Sequence, residues 1–508
     1  MLRRFGVVIA IAMMAACAPA ERGNPNHDPN CPGANTATDP DNCGACGVVC
    51  NAGQVCSDGV CATEGSNCTA GSMEACYDGP TGSENVGACK GGTRSCTASG
   101  FWGPCEGEIL PQPEVCGNGI DDNCSGQADE DADNDGDGFT TCQGDCCDNT
   151  SQCSQPELVN PGAFEAPGNL VDDDCDGQVD NVAATTCDTG LASNSSDGMD
   201  YAKAMDICQT ATMNDKKWGV ISATWSLADG SGMPNTNSRS IRSSFGTNVT
   251  PRAGSSIFEI STGEAADSND SNPGPGLLGW ESGTMLTASG YPADWFSLNG
   301  NQVPNAPGCP DPFSSGANDP VMLTLKIRVP TNAKSFSLQS NFFSAEYPEW
   351  VCTEYNDFFV VLLDSTWTGD PANPHDKNLA TYTAPNGMKY PVGVNLATGD
   401  TGLFTQCVNG RPGCNSSVTS AAPITSCQST SELTGTGLET NKADSCNSTM
   451  SSGGGTGWLT TSGNVKGGEI ITLRIAIWDT GDSSYSSLAV LDNFQWAVTA
   501  AEPGTIPQ

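Results

Sequence analysis

Between Pro111 and Asn181 the chain places fourteen Asp and four Glu and not one Lys or Arg. Carboxylates without counter-charge repel one another, and few large apolar side chains accompany these, so no core of useful size could offset the entropy of ordering the segment. Such a stretch folds only if cations, covalent cross-links or both hold it. Both are on offer. Asp133-Asn134-Asp135-Gly136-Asp137-Gly138 spells a calcium loop, and Cys116, Cys124, Cys142, Cys146, Cys147, Cys153 and Cys175 thread the same tract. The combination predicts a small module over residues 111–181 stapled by disulfides and metal.

Within that loop Asp133, Asp135 and Asp137 supply hard oxygen donors at alternate positions, Gly138 permits a sharp turn, and the Phe139 carbonyl is the next candidate ligand. EF-hand spacing fails at its twelfth place, where the chain has Gly144 with Asp145 beside it, and no flanking helices are apparent. The tract also repeats itself. Gly117 to Asp129 returns fifty-one residues later as Gly168 to Asp180, which adds Asp121, Asp129, Asp172, Asp174, Asp176 and Asp180 to the candidate ligands. Calcium is the expected cation. The alternative is a solvated acidic spacer.

The chain starts Met1-Leu2-Arg3-Arg4 and continues with an apolar run from Phe5 to Ala16, too short for a stable membrane span, as an export signal would. Met14-Ala15-Ala16-Cys17 resembles a bacterial lipobox with Met14 where Leu is usual, so Cys17 is the expected lipidation site. Residues 1–16 are then a signal peptide and 17–30 a lipidated tether, with Ala18 suiting outer-membrane sorting. Membrane attachment is expected by that lipid alone. Setting Cys17 aside leaves twenty-six of the twenty-seven cysteines, an even number suited to pairing in an oxidising compartment. The net charge of −39 becomes about −41 once Arg3 and Arg4 leave, which argues against nucleic acid as a partner and for polyvalent cations.

Two Cys-rich modules are expected at 31–61 and 62–110. Cys43-Gly44-Ala45-Cys46 has redox or zinc spacing, but its Gly-rich, Cys-dense surroundings favour structural disulfides. Cys68, Cys76, Cys89, Cys96 and Cys105 are odd in number, so one should pair across a boundary, with the acidic segment a candidate partner. From 182 to 503 the style changes. Val321, Leu323, Leu325, Ile327 and Val329 alternate with polar or smaller neighbours, as do Ile471, Leu473, Ile475 and Ile477, and Phe358 to Leu363 is a continuous apolar run. Trp218 to Trp225, Ser335 to Phe343 and Leu488 to Val498 are further strand candidates. Asp200 to Thr210 hints at a helix, which Cys187 and Cys208 could clip in place. The fold class expected is mainly β: small Cys-rich modules, then a large antiparallel, jelly-roll-like β-sandwich.

The run Pro113-Glu114-Val115-Cys116, Asp121-Asp122-Asn123-Cys124, the Asp133 loop, Asp145-Cys146, Glu165 and Asp172-Asp173-Asp174-Cys175-Asp176-Gly177 resembles the metal-binding repeats of MopE-type bacterial surface proteins. Cys147 stands where that pattern would have a second Asp. The resemblance invites copper, yet Cu(I) prefers thiolate, thioether or imidazole, and free carboxylates dominate once the cysteines pair, so copper is disfavoured. Phe245-Gly246-Thr247, Ser261-Thr262-Gly263-Glu264, Phe342 to Glu349, Tyr355 to Phe359, Trp478 to Asp482 and Leu491 to Phe494 resemble the choice-of-anchor L domain. That resemblance implies a β-rich domain of exported proteins and no assigned reaction. Cys352, Cys407, Cys414, Cys427 and Cys446 look like additions of this chain, some within reach of Cys309. Strand ends could gather Glu346, Asp357, Asp479 and Asp492 into a second calcium site, against a reading of capping and turn chemistry.

Catalysis is not expected. His27 and His375 are the only histidines, so the usual triads and HExxH zinc chemistry lack parts. Glu346 and Glu349 could serve a glycosidase, but on an extended segment they would face opposite ways. The expected protein is a lipid-anchored, outward-facing bacterial surface protein whose β domain attaches to an unidentified glycan or protein. The alternative is a polysaccharide-binding or polysaccharide-processing component, with Trp280, Trp295, Trp350 or Trp458 stacking on sugars.

Overall fold

The computed structural model describes residues 35–51, 54–57, 59–63, 68–98, 100–129, 133–181, 187–274, 287–313, 315–399, 401–413, 423–439 and 453–508. The signal segment, Cys17, the tether, Cys31, Trp280, Cys414 and Cys446 lie outside them. The chain divides into two compact units, Met1–Ala132 and Asp133–Gln508.

The first unit is small and covalently stapled. Gln54–Ser57 pairs with Val60–Thr63, and Met73–Cys76 with Gly92–Ser95, both antiparallel. Cys43–Cys56 and Cys50–Cys61 cross-link the first hairpin, and Cys46 is also disulfide-bonded, so the CxxC element is structural. Cys68–Cys96 and Cys76–Cys105 staple the second hairpin, and the odd cysteine, Cys89, pairs with Cys124 inside the acidic tract. These three close loops of 28, 29 and 35 residues. Each constrains the unfolded chain by about 3–4 kcal/mol in the chain-entropy account, which a unit with so small a core needs.

The second unit is an antiparallel β-sandwich. Its ten long or sheet-closing strands are β1 (Gly219–Ser226), β2 (Arg239–Arg242), β3 (Ile257–Ser261), β4 (Ala317–Arg328), β5 (Ser335–Ser344), β6 (Phe358–Asp364), β7 (Gly454–Asn464), β8 (Ile470–Thr480), β9 (Ser487–Ala497) and β10 (Gly504–Pro507). One sheet runs β10-β7-β5-β9-β3-β2 and the other β6-β8-β4-β1. Leu323, Leu325 and Ile327 of β4, Leu473 and Ile475 of β8, and Phe359 and Val361 of β6 meet Phe336, Leu338, Phe342, Phe258 and Leu491 of the facing sheet in one core. The alternation seen in the sequence is the in-and-out alternation of these strands. The apolar run in β6 has a separate cause: its other face, with Phe358, Val360 and Leu362, packs with Trp478, Tyr291 and Trp295 beneath the short helix Ala293–Leu298.

The helix expected at 200–210 occupies Gly198–Ala204, capped by Asp197, whose side chain accepts from the Met199 amide, and Cys187–Cys208 clips it. Cys309 pairs with Cys352, and Cys407 with Cys427.

The acidic tract departs from the expected single module. Its first repeat belongs to the first unit, whereas residues 133–181 are built into the second. There the Phe164 amide donates to Asn332 Oδ1 (3.0 Å) and Asn332 Nδ2 donates to the Phe164 carbonyl (2.8 Å). The Thr331 hydroxyl donates to Asn160 Oδ1 (2.7 Å), and Lys216 Nζ donates to the Gly138 carbonyl and to Gln143 Oε1.

Candidate metal centres

The Asp133 loop is wound by its own carboxylates. Asp133 Oδ1 and Oδ2 accept from the amides of Gly136 (2.6 Å) and Gly138 (3.0 Å), Asp135 Oδ1 from Asp137 (3.0 Å), and Asp137 Oδ1 from Phe139 (2.7 Å). Such Asx turns curl the backbone, helped by Gly136 and Gly138 at positive φ. Asp133 thus spends both oxygens on the backbone, whereas Asp135 and Asp137 each spend one and bury the other. Asp135, Asp137 and Asp145 bring oxygens within 4.8 Å of one another, as do Asp133, Asp135 and Asp148. Asp135 Oδ2, Asp137 Oδ2 and Asp145 Oδ2 are buried with no hydrogen-bond donor. Burial, then repulsion from Asp135, Asp145 and Asp133, raises the Asp137 carboxyl to about 6. Asp145 takes the part that EF-hand spacing would give to the twelfth residue. Phe139 buries its ring beneath Lys216 Nζ, 5.2 Å from the centroid.

The two repeats share one hydrogen-bonding plan. In the first, Asp121 accepts from the Ser125 and Gly126 amides, Asp122 from Asn118 Nδ2 and the Val115 amide, and Asp129 from the Asn118 and Gly119 amides. In the second, Asp172 accepts from Asp176 and Gly177, Asp173 from Asn169 Nδ2 and Ala166, and Asp180 from Gly168 and Asn169. Cys124 and Cys175 share positive φ (63° and 56°), as do Asp129 and Asp180 (58° and 54°). In the second repeat Glu165, Asp172 and Asp174 offer oxygens within 4.8 Å of one another. Burial, then Asp173, Asp174 and Asp172, pushes Glu165 up to about 7. Glu114 is its counterpart, and Oε2 of both is buried without a donor. Asp129, Asp176 and Asp180 are not gathered with the converging oxygens: Asp129 and Asp180 tie backbone amides, and Asp176 accepts from Asn181 Nδ2 (2.7 Å).

A third group lies in the sandwich. Glu346, Asp357 and Asp479 bring oxygens within 4.8 Å of one another, with residue exposures of 2%, 0% and 2%. At that separation each ionised pair repels by about 3 kcal/mol at an effective dielectric of 20. Burial raises all three carboxyls, Asp357 to about 8, and the neighbouring charges that push in the same direction include Asp482 and Asp319. Asp357 Oδ1 and Oδ2 and Asp479 Oδ1 lack a donor.

Asp492, expected in this group, stands elsewhere. It accepts from the Arg252 and Ala253 amides and faces Asp206, whose carboxyl burial and Asp492 raise to about 8. Asp492 lies on β9, in the other sheet from Asp357 and Asp479, so strand-end proximity in sequence did not carry it to them. The segment after β5 also turns instead of extending: the Trp350 amide donates to the Glu346 carbonyl (3.0 Å), and Glu349 is fully buried as Glu346 is. Trp295 is wholly in the core, unsuited to sugar stacking, whereas Trp350 and Trp458 are half-buried. Sequence reasoning missed Asp148 and left Glu114 and Glu165 out of the ligand set. The equivalence of Glu114 and Glu165 fifty-one residues apart was the available signal for the latter two.

The donor set tests which metal these centres fit. In the two Asp133-loop groups, the second repeat and the buried trio, every converging donor is a carboxylate oxygen. The triplet Cys43, Cys50 and Cys61 is committed to disulfides. Thiolate and imidazole, which copper favours, are absent from these described groups, and hard oxygen donors suit calcium-type ions. Among the described residues no helix is long and apolar enough to cross a membrane.

No curated protein and no solved structure matches the chain. Two family models do match: one described as "Putative metal-binding motif", of MopE type, over residues 111–130 and 155–181, and the choice-of-anchor L domain over residues 314–494. The chain therefore joins a MopE-like metal-binding motif to a choice-of-anchor L domain, the combination of a surface-associated, metal-binding bacterial protein.

Proposed function

We propose that the protein is exported, held at the outer membrane by a lipid on Cys17, binds calcium through its acidic loops, and uses its C-terminal β domain for adhesion or matrix attachment without catalysis. The observation that carries the calcium reading is the convergence of Asp135, Asp137 and Asp145, each with a buried oxygen that no donor meets. A divalent cation supplies the missing partner and removes the mutual repulsion together. The lipid reading rests on Met14-Ala15-Ala16-Cys17, and the attachment reading on a family found on exported proteins.

The test is a calcium titration of the full chain with its disulfides intact, with melting in calcium and in chelator. Binding raises stability by mass action, about 2.7 kcal/mol at a hundredfold excess over Kd. An identical melt in chelator and in calcium would reduce the acidic loops to spacers. Binding of calcium-loaded protein to glycan arrays and extracellular matrix, followed by a turnover assay on any ligand found, separates attachment from polysaccharide processing.

A further inference from the structure

The MopE-like motif and the Asp133 loop account for the cations of the acidic tract. They do not account for three acids buried in the sandwich. We propose that Glu346, Asp357 and Asp479 form a separate calcium-type cation site that ties the turn after β5 to the end of β8.

The placement is specific. In the β6–β8 pairing Phe358 opposes Trp478; Asp357 precedes the one and Asp479 follows the other, and just past the paired register their carboxylate oxygens lie within 4.8 Å of each other. Like charges so close are destabilising, more so out of water. Glu346 is added from the turn after β5, close enough that its Oε2 accepts from the Asp357 amide (3.4 Å). All three are at least nine-tenths buried, and both Asp357 oxygens are buried without a donor. The buried Ser487 hydroxyl lies beside Asp357 and adds a neutral oxygen.

The same two strands show what compensation by side chains looks like. Toward the far end of the pair, Arg474 of β8 donates to Asp364 of β6 (3.1 Å) and twice to Asp294 (2.8 and 2.7 Å), and Lys377 joins them. Among the described residues no such guanidinium or ammonium meets the trio; the charges that act on it are those of Asp482 and Asp319. Three carboxylates and a hydroxyl give the hard oxygen set that calcium takes, whereas magnesium keeps several waters that so buried a site leaves little room for.

The segments joined here also assemble an aromatic group. Trp350 packs edge-on to Tyr355 (5.2 Å between centroids), Tyr355 against Phe313 (5.3 Å), and Trp350 near Tyr485 (6.2 Å). Gly481, two residues after Asp479, lies so close that a Cβ there would meet Phe313 at 2.7 Å and Tyr355 at 2.9 Å. A cation at the trio would fix the base of this group, so its filling is readable as the part of the tryptophan fluorescence change that Trp350→Phe removes.

The experiment is calcium titration of the full chain, comparing the native protein with Asp357→Asn, Glu346→Gln and the double change Asp135→Asn/Asp137→Asn. The site predicts that Asp357→Asn and Glu346→Gln each lose one calcium equivalent, or weaken it at least tenfold, and lose the calcium-induced Trp350 fluorescence change. The double change in the acidic loop should keep both. In chelator Asp357→Asn should melt higher than the native chain, because a repelling charge is gone, which also shows that it folds. Should Asp357→Asn not fold, Glu346→Gln carries the comparison alone. Unchanged calcium equivalents and fluorescence response in the trio variants, or loss of that response in the acidic-loop variant, would overturn the site and leave shared protons as the solution to the buried charge.

Discussion

Asp357 and Asp479 bring carboxylate oxygens within 4.8 Å of each other just past the Phe358–Trp478 pair, at the end of two strands whose other end is neutralised by Arg474 and Lys377. A single strand pair therefore handles acid in two ways. Where a guanidinium is present, Arg474 with Lys377 holds Asp294 well below the usual carboxylate range. Where none is present, burial and like charge push the carboxyls upward.

The Arg474 network should be the more fragile under substitution. Replacing Arg474 by Met leaves Asp294 and Asp364 with Lys377 alone. The acids are more than a third exposed, so water screens them and the loss is less than for a sealed pair: about 1–3 kcal/mol by urea unfolding. Asp294→Asn should cost less, because Asp364 still engages both cations. A loss below about 0.5 kcal/mol for Arg474→Met would mean that the network is only a surface arrangement.

At the positions of the converging oxygens of the second repeat, the two acidic repeats differ at one donor. Asp174 in the second corresponds to Asn123 in the first, while Glu114, Asp121, Glu165 and Asp172 hold equivalent places. Calcium affinity follows ligand charge, so Asn123→Asp should tighten calcium at the first repeat, on the order of tenfold, and Asp174→Asn should weaken the second by a similar factor. Calorimetric titration of the full chain reads both. Tightening by Asp174→Asn would show that repulsion outweighs charge attraction there.

Much of this was legible in the sequence. Period-two alternation located β4 and β8, the fifty-one-residue repeat located two equivalent loops, and an odd cysteine count pointed from the second Cys-rich module to the acidic segment, where Cys124 takes Cys89. Other features depended on partners far along the chain. Asn332 binds Phe164 across 168 residues, and nothing local to residues 133–181 announces that contact, so the tract read as a free-standing module. Asp492 was grouped with Asp479 because both border the last strands, but strand pairing sends β8 and β9 to different sheets. Glu346 and Glu349 read as extended because the strand before them is, and the backbone bond from Trp350 to Glu346 reverses that.

The Cys89–Cys124 link makes a further prediction. It closes a 35-residue loop and anchors the first acidic repeat to the hairpin module. Changing both cysteines to Ala should destabilise the first unit by about 3–4 kcal/mol. It should also weaken calcium at the first repeat, because Cys124 sits among its carboxylates. Mass spectrometry of proteolysed native protein should find this pair, and recovery of Cys89 joined to another cysteine would contradict it.

The Asp206–Asp492 pair sets a pH dependence with a definite sign. Burial first, and Asp492 second, lifts the Asp206 carboxyl to about 8, against about 3.9 for an unfolded Asp. Between those values the folded chain binds more protons than the unfolded one, so stability falls as pH rises. The contribution is fully present below about pH 4, declines through the neutral range and is gone above pH 8. Space does not relieve it: Gly254, at φ +59, fits so tightly that an added Cβ would stand 2.6 Å from Asp188 Oδ2 and 2.9 Å from Asp206 Oδ1. Asp206→Asn, neutral at every pH, should match the native chain only near pH 4 and below, exceed it slightly at pH 5 and most at pH 8.5, with a flatter melting profile between. The melts belong in chelator, so that calcium bound elsewhere does not enter the comparison. Parallel profiles for the two proteins from pH 5 to 8.5 would show that Asp206 is ionised in the folded chain throughout, and that the two carboxyls are kept apart by solvent.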